Sequence, residues 1–135
     1  MSGMSFRGDL SDLRDDLATI RAEVKPRMRG IVRDGVKAGT MLAKDNARNS
    51  AGEHGKHYPN AISGSMTGGA GLGDLVSGEY GPDSDRPQGD MSFEFGSRNQ
   101  KPHLDLARSA DIIGPSFAQE VRDMVDDLFW PGGSA

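Results

Sequence analysis

Glu53, His54 and His57 place a carboxylate and two imidazoles within five residues, in the H-x-x-H spacing that zinc sites use. On a helix that spacing would put both rings on one face. Here it falls in the stretch Ser50–Asn60, which carries glycine at 52 and 55 and proline at 59, and reads as a solvated loop. Asp83, Asp85 and Asp90 form a second acidic run. A calcium loop of the EF-hand kind needs a later bidentate glutamate and flanking helices, and Pro87 and the segment at Met91 contradict that setting. Gly64 to Gly73 is rich in glycine but has no lysine followed by serine or threonine, so it is not a phosphate-binding P-loop. No nucleophile elbow and no paired-carboxylate constellation stands out. The expectation is a protein with no catalytic residues, no bound metal and no cofactor.

Composition narrows the class further. The chain has 135 residues, enough for one domain with its own core. Only 35% are hydrophobic, and there are 19 glycines and 7 prolines, which points to long loops or to apolar surface completed by a neighbouring subunit. The absence of cysteine excludes disulfides, thiolate metal sites and cysteine nucleophiles. The start Met1–Arg7 has no apolar core, so no secretory leader is expected. No apolar run approaches the roughly 20 residues that span a bilayer, so no membrane partner is expected.

Hydrophobic spacing then gives the elements. Leu10, Leu13, Leu17, Ile20 and Val24 recur at alternating three- and four-residue steps, which predicts a helix. Pro26 is expected to kink or restart it, giving an N-terminal arm over residues 1–25 and a second helix from Pro26 to about Asn49. Gly35 and Gly39 share one face of that second helix, where another helix has room to approach closely. Strands are predicted at Ala61–Thr67, Leu75–Tyr80 and Met91–Phe95, the last with the cleanest alternation. A short helix is predicted over His103–Ile113. A final helix opens at Pro115, with Phe117, Val121, Met124, Val125 and Leu128 as its buried stripe. The sum is an α+β fold: N-terminal helices, a small antiparallel sheet, and a C-terminal helix packed on the sheet. Residues 26–130 form the domain and 131–135 a flexible tail.

Net charge is −4, which argues against a general nucleic-acid binder, yet the charge is uneven. Arg21, Lys25, Arg27, Arg29, Arg33, Lys37, Lys44 and Arg48 crowd one stretch, opposed by Glu23, Asp34 and Asp45. Three readings stay open: a solvated helix face, a surface complementary to an acidic neighbour, or contact with DNA phosphates.

The later two-thirds of the chain carries a recognisable order. A basic helix leads to a strand at Ala61–Met66, then to Tyr80-Gly81, then to Phe93-Glu94-Phe95-Gly96, a polar loop, Pro102 and a terminal amphipathic helix. This order resembles the siphophage head–tail joining family, the neck or minor tail components of long-tailed bacteriophages. Phe93, Glu94, Phe95, Gly96 and Pro102 match its pattern. The family's Pro-Val-Asp-Thr-Gly-like turn is replaced by His57–Ala61, and its second proline and aromatic by His103–Leu106.

The resemblance implies a virion structural protein, assembled in the bacterial cytoplasm, that forms a ring of six subunits at the head–tail junction. Its partners would be itself and other neck and tail proteins, with DNA only passing through the channel. Arg29, Arg33, Lys37, Glu94, Phe95 and Gly96 are the expected subunit-interface residues. A tail terminator that caps the tail tube is the nearest alternative. A small DNA-binding protein using residues 21–48, and a metal-dependent hydrolase using Glu53, His54 and His57, are alternatives of other classes.

Overall fold

The computed structural model describes residues 6–68, 76–98 and 100–130. Its spine is α1, Phe6–Ala51, a single helix of 46 residues, about 69 Å long at 1.5 Å per residue. The expected break at Pro26 is absent, and residues 6–25 continue directly into the second predicted helix. Proline removes one backbone hydrogen bond and costs a helix interior about 3 kcal/mol. Two features offset that cost. Pro26 and Ala22 are both exposed, which leaves the orphaned carbonyl of Ala22 open to water. The helix is also braced on both sides of the proline, because the end of the last helix lies beside Ile20 and Glu23 and beside Gly30 and Ile31.

After a turn comes a short helix, α2 (Tyr58–Ala61), inside the stretch expected to be loop. Strands β1 (Ile62–Gly68) and β2 (Val76–Pro82) follow and pair antiparallel, with Ile62 opposite Pro82 and Gly64 opposite Tyr80. The glycine-rich turn between them and the tail at 131–135 lie outside the described residues. The predicted third strand at Met91–Phe95 is instead a helix, α3 (Ser92–Phe95). Local hydrogen bonding overrides the alternating pattern there. The Asp90 carboxylate accepts from the Ser92 backbone N–H at 2.9 Å and from the Ser92 hydroxyl, which starts a helical turn. Gly96, at φ 83°, ends it by donating to the Ser92 carbonyl at 2.8 Å.

The last element, α4 (Asp105–Phe129), runs unbroken through Pro115, so the two predicted C-terminal helices are one. The reason is the same as at Pro26: Pro115 and Asp111 face solvent while the opposite face is packed. α4 lies antiparallel on α1. Its start meets Asn46 and Ser50, and its end meets Arg27, whose guanidinium donates to Asp127 at 2.7 Å. Met124 and Leu128 are buried and Phe117 and Val121 half-buried, whereas Val125 is exposed. The helix therefore packs chiefly on α1. It reaches the sheet where the Tyr80 and Ser109 hydroxyls bond at 2.7 Å.

The core is small. Ala43, Ala47, Tyr58, Ile62 and Phe93 form its centre, flanked by Ala51, Tyr80 and Leu106. Its density depends on glycine. The two glycines expected to admit a neighbouring helix serve two neighbours: Gly35 receives Phe117 of α4, and Gly39 receives the ring of Tyr80 from β2. A Cβ on Gly39 would clash with the Tyr80 ring, at 2.7 Å from Cζ and closer still to Cε1. Helix propensity alone says Gly39→Ala should stabilise by about 1 kcal/mol. Overpacking reverses the sign, and the expected outcome is a loss of about 1–3 kcal/mol. Urea melts of the two proteins check this, and a stabilised variant would contradict the packing.

Candidate functional site

Helix α4 begins without a cap of its own. Leu104 occupies the capping position at φ 55°, and no side chain at that position bonds the first turn. The orphaned N–H groups are met from elsewhere in the chain. Glu94, 2% exposed, turns its carboxylate onto them: Leu106 N–H donates to Oε1 at 2.7 Å and Ala107 N–H to Oε2 at 3.0 Å. A carboxylate at a helix N-terminus also meets the positive end of the helix dipole. The backbone pairs as well, with His103 N–H donating to the Phe93 carbonyl at 2.8 Å and Leu104 N–H to the Glu94 carbonyl at 3.2 Å.

One residue into α4, Asp105 is fully buried. Ser50 of α1 donates to its carboxylate at 2.8 and 3.0 Å, Arg108 donates at 2.8 Å, and Asn46 donates to its backbone carbonyl at 3.2 Å. His103 Nδ1 lies 3.2 Å from Ser50 Oγ and 3.8 Å from Asp105 Oδ2. Serine, histidine and aspartate thus meet, but not as a nucleophile relay. A relay places the imidazole between hydroxyl and carboxylate and uses a different ring nitrogen for each. Here Nδ1 faces both, and the serine bonds the carboxylate directly. The cluster ties the end of α1 to the start of α4.

Beside it, Tyr58 stacks on Phe93 with ring centroids 4.5 Å apart, and His103 meets Phe93 edge-on. The Tyr58 hydroxyl is buried and has no hydrogen-bond partner among the described residues. Its pKa is pushed well above the ordinary tyrosine value, first by burial and then by the charges of Asp105, Glu94 and Asp90.

The expected interface residues therefore divide. Glu94 is a buried cap inside the subunit, which corrects its assignment to a subunit contact. Gly96 is a backbone requirement: a Cβ there would meet Gln100 O at 2.8 Å and Pro102 Cδ at 2.9 Å. Phe95 is exposed. Arg29, Arg33 and Lys37 are also exposed, at successive four-residue steps on one face of α1. Arg33 and Lys37 line a shallow groove with Met41 of α1 and Met66 of β1, both of them exposed. This mixed basic and apolar surface is the candidate docking site.

Glu53, His54 and His57 are exposed. Their turn is held by Gln88, which accepts from the His57 N–H and donates to the His54 carbonyl. Among the described residues, no three histidine, aspartate or glutamate side chains converge as metal ligands. No described helix is long and apolar enough to cross a membrane. Asp105, Ser50 and Asn46 escaped the sequence reading, and the only signal for Asp105 was an acidic residue at a helix start after Pro102. Neither a family model, nor a curated protein, nor a solved structure matches the chain.

Two substitutions test the joint. Glu94→Ala leaves two N–H groups without their acceptor and is expected to cost about 2–3 kcal/mol, with Glu94→Gln intermediate, by urea denaturation. Tyr58→Phe removes an unpaired buried hydroxyl and is expected to stabilise by about 1 kcal/mol at neutral pH. Tyr58 titrates higher in the folded than in the unfolded chain. Stability is therefore complete below the ordinary value of 10.0 and falls as pH rises past it. The variant should lose less stability than wild type in alkali, as read from melting temperatures across an alkaline series.

Proposed function

We propose that the chain is a non-enzymatic virion structural protein that forms a ring at the head–tail junction of a long-tailed phage. The resemblance at Phe93–Gly96 and Pro102 suggests the family. The observation that supports a docking role is the exposed face carrying Arg29, Arg33 and Lys37 beside Met41 and Met66. Exposed methionines supply adaptable apolar contact. The cations supply orientation and partner choice. Such a face suits an acidic, partly apolar neighbour, either the next subunit of the ring or an adjoining neck protein. Glu94 and Gly96 support this role from inside by fixing the subunit's shape, and Phe95 stands at the surface beside them.

The test is Arg29→Glu with Arg33→Glu. Exposed charges contribute little to folding, so the isolated variant is expected to melt within about 0.5 kcal/mol of wild type. In a phage lacking its own copy, the variant should yield full heads and free tails by electron microscopy. Normal tailed virions containing the variant would overturn the proposal. Salt-dependent retention of DNA by wild type, lost in the variant, would assign the face to phosphate binding instead.

A further inference from the structure

Helix α1 continues past the described end of α4. Phe129 closes α4 beside Asp16, Thr19 and Ile20. The preceding ten residues of α1, about 15 Å of helix, therefore have no α4 alongside. Leu10 and Leu13 are 50% and 53% exposed on that segment, and Leu17, just past its border, is 48% exposed. Water-facing leucines at this spacing are uncovered packing surface.

Their pattern says what covers them. With Leu10 at position a of a heptad, Leu13 and Ile20 are d, and Leu17 and Val24 are a. A helix packing into a globular core widens its stripe by making e or g apolar, whereas a strict a/d stripe is a coiled-coil seam. Here both flanks are charged, with Arg14 and Arg21 at e and Asp16 and Glu23 at g. In a parallel pair, each g residue meets e of the next heptad on its partner, so Asp16 of each copy meets Arg21 of the other. In an antiparallel pair, g meets g and e meets e, which sets acid against acid and arginine against arginine. The charges thus fit a second copy of the same segment in parallel register and reject the reverse orientation.

We propose that residues 10–21 of α1 form a parallel coiled coil with the same segment of a second copy of this chain. The arm continues a helix already nucleated and braced by α4, so association need not carry the cost of starting a helix. The two arms part where α4 begins to cover the stripe at Ile20. Phe129 and Trp130, both exposed, stand at that fork. This goes beyond the phage reading and is tested on the purified chain alone, so either idea can fail without the other.

Sedimentation of the full chain over a concentration series reads the association directly. Wild type is expected to associate, and Leu13→Asp with Leu17→Asp should weaken association by more than about 100-fold while leaving the melting of the body unchanged. Arg21→Glu, and separately Asp16→Lys, should each weaken association by setting like charges across the seam, and a mixture of the two should restore it. The chain has no cysteine, so Leu10→Cys reports orientation: parallel arms link into a disulfide dimer on mild oxidation. A wild type that stays monomeric at every concentration, an association indifferent to the aspartate substitutions, or an associated Leu10→Cys protein that fails to cross-link would overturn the proposal.

Discussion

The fold turns on one carboxylate. Helix α4 starts at a leucine in a left-handed conformation, whose carbonyl accepts from Arg108 N–H at 2.9 Å but whose side chain caps nothing. Glu94 supplies acceptors for two of its N–H groups, those of Leu106 and Ala107, from twelve and thirteen residues upstream. Capping at a distance has a consequence that a local cap lacks: it fixes where the helix begins relative to the rest of the chain. With Glu94 anchored beside Phe93, which stacks on Tyr58, the start of α4 is placed against the core. Asp105 then fastens that start to Ser50 and Asn46, so α4 can only run back along α1. The Arg27–Asp127 pair at the far end is exposed on both sides and adds little. Orientation is set at the joint, and the apolar stripe of α4 holds it.

Two close approaches make so small a core sufficient. Val36 of α1 presses into the space left by Gly64 and Gly78 on the paired strands, while Tyr80 lies on Gly39. Helix and sheet come nearer than ordinary side chains would permit. Small residues on the packed face of α1, Ala43 and Ala47 among them, continue the same strategy toward Tyr58 and Ile62. Dispersion gained at short range substitutes for the large aliphatic side chains that the sequence lacks. A helix this rich in glycine is weak by propensity and is kept by tertiary contact.

Much of this was legible from the residues. The α+β class, the two paired strands and most of the α4 stripe followed from periodicity, which reports burial on one face. The failures share a cause. Pro26 and Pro115 are strong local signals for a helix break, but a missing hydrogen bond on a solvent-facing surface costs less than packing on the opposite face returns. Met91–Phe95 alternates like a strand, yet it joins neither of the two described strands, and Asp90 supplies a helical start. Periodicity records which side chains are apolar, not what they meet. The role of Glu94 was hidden for a similar reason: a charged residue in an alternating stretch reads as the solvent side of a strand, and its acceptors are needed twelve residues later.

The same distinction separates the two ends of α1. Over its C-terminal half the apolar positions include alanine and glycine, and the neighbours that fill the space come from this chain. Over its N-terminal end the positions are leucines in a narrow stripe between rows of acid and base, and nothing among the described residues covers them. Gly30, Gly35 and Gly39 make the C-terminal half the poorer helix former, so propensity does not explain its length. Small residues are what a helix needs when strands and a second helix must come close. Leucines flanked by opposite charges are what it needs when the partner is another helix of matching register. A single continuous helix that changes from one pattern to the other at about Ile20 transmits position rigidly between the body and whatever the leucines hold. A kink at Pro26 would break that transmission, and the bracing of α4 on both sides of the proline keeps it intact.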